Sequence, residues 1–196
     1  MANKRPYWAV AIALAFITVA AINGYRNVGW IVAVIIGMAA VGGLTMWLLT
    51  TFHKPAEPKV IVPLYLLSLV GLKIHIIEEY VTDFPEAMSH TFGIHFTEHE
   101  FVLEIALGLW VIWLLGAVGL MKRNPLGNFV CWFLFIAMMF SELTHFWFPT
   151  QSPEHAFYYP GMYTALLPGI PAWIGAIYLV RNYWMGGKSS KEPATV

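Results

Sequence analysis

Six apolar stretches of membrane-spanning length, set apart by short polar breaks, leave this chain little choice of architecture. They cover residues 7–23, 30–52, 60–81 and 98–121, a fifth stretch that ends at Trp147, and 161–184. A bilayer core takes about 20 residues of helix, and a backbone crossing it must satisfy its own hydrogen bonds. The expected fold is therefore all-α, a polytopic membrane bundle of about six transmembrane helices. Composition agrees: 59% of the 196 residues are hydrophobic and only 11% charged, outside the range of soluble domains. The net charge is zero and no long basic run exists, which excludes nucleic acid as a partner. Cys131 is the only cysteine, so no intrachain disulfide can form.

The first stretch follows Lys4 and Arg5 as a signal peptide would, but Ile22-Asn23-Gly24-Tyr25 offers no persuasive small-residue cleavage site, and the stretch reads as a retained helix. Residues 1–53 then hold two plain N-terminal helices. The proline-marked break at 54–59 is a cytoplasmic linker, residues 60–184 form a four-helix core, and 185–196 read as a disordered cytoplasmic tail. Pro168 and Pro171 predict a kink in the last span. Lysine and arginine mark orientation, because short cytoplasmic segments are enriched in them. Lys4 and Arg5, Lys54 and Lys59, Lys122 and Arg123, then Arg181, Lys188 and Lys191 fall on alternate sides of the spans, while the intervening loops hold only Arg26. Both termini are thus expected in the cytoplasm, and the pattern fits a bacterial inner membrane.

Against this background the chemistry-bearing residues stand out. His75-Ile76-Ile77-Glu78-Glu79 lies inside the third span, and its histidine and two carboxylates project from roughly one helical face. Ionisable groups at such depth are costly and usually line a pocket, pair or hold an ion. The third span, entered from the cytoplasm, reaches His75 after about 22 Å of helix, in the outer half of the membrane. The fifth places Glu142 and His145 at a similar height, and the fourth begins outside with Glu98, His99 and Glu100 and carries Glu104 one turn deeper. Three helices thus bring acids and histidines to one outer layer. His-x-x-Glu and Glu-x-x-His spacings let one helical turn offer an imidazole and a carboxylate to one metal, as in di-iron helix bundles. The candidate metal ligands are His75, Glu78, Glu79, Glu104, Glu142 and His145. Histidine and carboxylate suit iron, zinc or manganese rather than copper(I).

Other polar residues have simpler readings. Lys73 can snorkel or pair with a site carboxylate. The polar segment 82–97 reads as a cap, whose Asp83, Glu86, His90 and His95, like Glu154 and His155 further on, are explained by loop polarity. Glu98, His99 and Glu100 fit a wet interface.

The motif His75-Ile-Ile-Glu78-Glu79 in a third span, with Glu104 and Glu142-x-x-His145 later, resembles the HXXEE family of small multi-span membrane proteins over residues 60–183. That resemblance implies a proposed metal or catalytic centre. A partial likeness to the emopamil-binding-protein group, which includes a sterol isomerase, rests on His75, Glu79, Glu104 and Ala165-Leu166-Leu167-Pro168-Gly169. Two features depart from that group: no tryptophan precedes the Leu-Pro-Gly, and the pair Glu142 and His145 is extra.

Three functions follow. The first is a metal-dependent membrane enzyme, iron-based, that transforms a lipid-like hydrophobic substrate from the surrounding membrane lipids. The second is a metal-free isomerase or lipid-binding protein, in which His75, Glu79 and Glu104 are the catalytic set and a carboxyl raised by burial delivers the proton. The third, an ion or proton conduit, ranks last, because the ionisable groups do not continue to the cytoplasmic side.

Overall fold

The structure, a computed structural model, describes residues 6–185; Lys4, Arg5, Lys188 and Lys191, and all of the expected tail but its first residue, lie outside the described residues. Among the described residues all regular structure is helical. Helix α1 (Tyr7–Asn27) is followed by α2 (Trp30–Leu49) and α3 (Pro58–Val81), and then by the short α4 (Phe84–Phe92). Helix α5 (Glu98–Met121) precedes α6 (Pro125–Phe140), the one-turn α7 (Thr144–Trp147) and α8 (Leu166–Met185). Five helical segments are long and apolar enough to cross a membrane: α1, α2, α3, α5 and the stretch Pro125–Gln151 that contains α6 and α7. The sixth expected span forms α8, which starts at Leu166 rather than Gly161. Exposed Val19, Leu67 and Leu115 give these helices an apolar outer surface. Such a surface would be an aggregation liability in water and suits hydrocarbon.

Helix α6 is the hub. Its unbroken buried run from Cys131 to Phe135 packs against α2, α5 and α8. Helix α2, plain in composition, thus belongs to the same packed body as the later helices. Polar side chains fix the neighbours: Tyr65 donates to the Trp113 carbonyl at 2.8 Å, tying α3 to α5, and Ser68 donates to the Pro168 carbonyl at 2.8 Å, tying α3 to α8. Between those two helices Gly71 permits backbone contact, since a Cβ there would lie 2.6 Å from the Leu167 carbonyl carbon and Pro168 nitrogen. Pro168 is in the first turn of α8, where a missing N–H is harmless, while Pro171 is inside the helix.

Of the departures from regular α-helix, two lie beside Glu104 and beside Glu142 and His145. In α5, Phe101–Leu109 is wound as a π-helix, after a start at which Glu100 caps Thr97 reciprocally. After α6, His145 and Phe146 bond to the carbonyls three residues back, Glu142 and Leu143. That tightening toward three residues per turn brings positions i and i+3 into line. The expected polar cap, 82–97, folds as the amphipathic α4, with Phe84, Ala87 and Met88 turned inward.

Gly71→Ala should be the more damaging of two packing changes between α3 and α8. Overpacking against backbone costs about 1–3 kcal/mol, whereas Ser68→Ala should cost about 1 kcal/mol or less. Thermal unfolding of both variants in detergent tests the order.

Candidate metal centre

His75 and Glu79, one turn apart on α3, meet Glu142 and His145 from the tightened segment after α6. All four side chains are buried, at 2%, 6%, 5% and 4% exposure respectively. His75 Nε2 lies 3.5 Å from Glu79 Oε1 and 2.8 Å from Glu142 Oε2, and His145 Nε2 lies 3.4 Å from Glu79 Oε1. One donor atom each from His75, Glu79 and His145 falls within 4.8 Å of the others.

The outer nitrogens of the two rings determine what the inner ones can do. His145 Nδ1 lies 2.8 Å from the Pro160 carbonyl oxygen, which can only accept, so Nδ1 carries the proton. His75 Nδ1 lies 3.2 Å from Thr164 Oγ1. The Thr164 hydroxyl gives its single proton to Glu78 Oε2, at 2.5 Å, and therefore accepts from His75. In the neutral rings both Nε2 atoms then present lone pairs to the interior, where they face two carboxylates. His75 Nε2 stands 2.8 Å from Glu142 Oε2, hydrogen-bond distance, so a proton on that nitrogen would be shared with the carboxylate.

Four converging acceptors in a buried site call for a cation or a proton. The separations from Glu79 to the two rings, 3.5 and 3.4 Å, equal roughly the edge of a tetrahedron with bonds of about 2.1 Å, the length of zinc–imidazole and zinc–carboxylate bonds, whereas the 2.8 Å between His75 and Glu142 is shorter than that edge. Imidazoles that ligate metals commonly donate their other N–H to a carbonyl or carboxylate, as both rings do here, His75 through Thr164.

The remaining sequence-stretch acids have other partners. Glu78 and Glu79 lie on opposite flanks of His75, because offsets of three and four residues fall on either side of a full turn. Glu79 turns inward. Glu78 turns outward and accepts from the Tyr158 hydroxyl at 2.8 Å, from the backbone N–H of Tyr163 at 3.1 Å and from that of Thr164 at 2.8 Å. It anchors the loop that orients His75, and is not one of the converging acceptors. Glu104 is not brought to the group either. It faces α1, where Asn27 donates at 3.0 Å and Asn23 at 2.6 Å. Lys73 lies over the Trp110 ring, 5.0 Å from its centroid, rather than beside a site carboxylate. Glu98 and His99 are exposed, as are His90 and His95, while Glu100 serves its cap.

The loop between α7 and α8 supplies what residue-type patterns left out. Pro160 offers a carbonyl and Tyr163 a backbone N–H, functions that no side-chain motif signals. Gly161, at φ +88°, lies against both rings; a Cβ there would come within 2.6 Å of His145 Cε1 and 2.8 Å of His75 Cε1. Tyr158 keeps its proton because burial and the adjacent Glu78 carboxylate push its phenol up. Phe84 and Phe148 cover His145, with ring centroids 5.3 and 5.6 Å away. Below the polar group a cavity of about 120 Å³ opens between apolar walls that include Ile36, Ile105 and Trp113.

No family model, curated protein or solved structure matches the chain. The site must be read from its own geometry.

Glu78→Gln and Thr164→Val should each weaken metal binding by about 10–100-fold without removing a converging donor. Gly161→Ala should do at least as much by displacing both rings, whereas Glu104→Gln should leave affinity unchanged. Competition against a chromophoric chelator measures all four.

Proposed function

We propose that this protein is a metal-dependent membrane enzyme acting on a lipid-like hydrophobic substrate, with one divalent ion held by His75, Glu79, Glu142 and His145. The observation that carries the reading is the pair of imidazoles whose Nδ1 atoms are committed to Thr164 and Pro160, leaving both Nε2 atoms aimed at two carboxylates. Two histidines and two carboxylates fit iron, manganese or zinc, and the four donors favour one ion over a di-iron pair. Such an ion supplies Lewis acidity or, if redox-active, oxygen chemistry. The chain's own residues hold the imidazoles in one tautomer, keep Glu142 Oε2 free to accept, and exclude water with Phe84 and Phe148. The apolar cavity beside the polar group supports a hydrophobic substrate.

The His75-Ile-Ile-Glu78-Glu79 motif resembles that of the HXXEE group, and in this reading the chain makes six spans with both termini cytoplasmic. Arg123 pairs with Glu57 at 3.0 Å and Lys54 donates to the Asn182 carbonyl at 3.4 Å, so the basic linker, the turn before α6 and the end of α8 share one end of the bundle. The metal centre is toward the opposite end, the outer half of a bacterial inner membrane in this reading.

A second reading has its own support. At 2.8 Å, His75 and Glu142 are also spaced for an imidazolium–carboxylate pair, which could move a proton in a metal-free isomerase.

Elemental analysis of protein purified without chelators separates the two. The metal reading expects about one equivalent of iron, manganese or zinc, lost in the His75→Ala, His145→Ala double variant. Metal retained by that variant, or wild-type protein free of metal, would overturn it and leave proton transfer as the function to assay.

A further inference from the structure

A second apolar space adjoins the metal-centre cavity. It is a groove of about 410 Å³ between α2 and α6, whose walls include Met38, Gly42, Thr45 and Met46 on one side and Ile136 and Phe140 on the other. Ile35, Ala39, Ser141 and Thr144 line both this groove and the cavity, so these four side chains form the partition between them. Met38 and Phe140, 64% and 56% exposed, face outward from helices apolar enough to sit in a bilayer. The hydrocarbon around such helices is the medium that fills an open groove.

From the partition the groove follows α2 from Ile35 to Met46, a length of about 16 Å. It thus starts at the level of the metal centre and runs away from it along the helix axis. A lipid lying in it would have the head end of one chain at Ser141 and Thr144 and its tail toward the middle of the bilayer. Of the four partition residues, Ser141 and Thr144 carry hydroxyls and flank Glu142 in the chain, while Ile35 and Ala39 are aliphatic. Gly42 keeps the floor open, since a Cβ there would come within 3.0 Å of Ile136 Cγ2.

We propose that the α2–α6 groove seats one acyl chain of a membrane phospholipid, and that the partition of Ile35, Ala39, Ser141 and Thr144 is where its head-proximal part passes to the metal centre. This rests on the enzyme reading above for its consequence, but not for the seat itself. Substrate reaches the centre sideways from the lipid.

The test uses the full-length protein in vesicles of phosphatidylethanolamine and phosphatidylglycerol containing a trace phospholipid with a photoreactive diazirine in one acyl chain. A diazirine near the carboxyl end should label residues 35–39 and 141–144, and one near the chain terminus should label residues 42–46. In both cases labelling should be enriched several-fold over the lipid-facing sides of α1 and α5 at matched depth. Gly42→Leu and Thr45→Trp, which fill the groove, should each lower that labelling several-fold with metal content unchanged. Equal labelling around the bundle, or labelling that neither variant reduces, would overturn the seat. Groove labelling in protein that holds no metal would support the seat while overturning the metal reading, so the two fail separately.

Discussion

Everything at the site depends on two outward hydrogen bonds, from His145 to the Pro160 carbonyl and from His75 to Thr164. In a low-dielectric interior an imidazole left to choose its tautomer would turn an N–H toward the nearest carboxylate and close the site with an ordinary hydrogen bond. Once Nδ1 holds the proton, the inner nitrogen of a neutral ring can only accept. Buried polar groups without partners are expensive, and four mutually facing acceptors are the most expensive case. A cation or a proton relieves that cost.

The loop between α7 and α8 provides these bonds, and the packing of α3 against α8 holds the loop in place. Gly71 lets the two backbones touch, Ser68 stitches them, and Glu78 gathers the Tyr158 hydroxyl with two backbone N–H groups of the loop. Glu78 thereby acts on the centre through Thr164 without belonging to it. The tightened turn after α6 completes the geometry, because near three residues per turn Glu142 and His145 project from the same line. Apolar packing therefore does the positioning, and hydrogen bonds set only the last orientation of each ring.

The apolar surroundings are also chemically useful. Aromatic rings over His145 and apolar cavity walls below lower the local dielectric, which strengthens each electrostatic contact inside. Glu104 shows how different a neighbouring carboxylate can be. Clamped by two asparagine amides of α1 in the π-wound part of α5, it has donors of its own and creates no comparable demand for a cation.

Much of this was legible in the residues themselves. Apolar runs of bilayer length specify helices and their approximate ends, since a backbone in hydrocarbon has no other way to pair its polar groups. Helical spacing puts His75 beside Glu79, and counting residues along each span puts Glu142 and His145 at a matching depth. What a one-dimensional pattern does not hold is the rotation of each helix about its own axis and the identity of its neighbour. Those two quantities turned Glu78 to the loop and Glu104 to α1, brought α2 into the cavity wall, and recruited a proline carbonyl and a glycine that carry no side-chain signal. Local spacing and solvent preference act within one element, and so the sequence alone determined the helices and their depths. Which acids and histidines converge depends on close packing between elements far apart in the chain, and only the tertiary structure decided it.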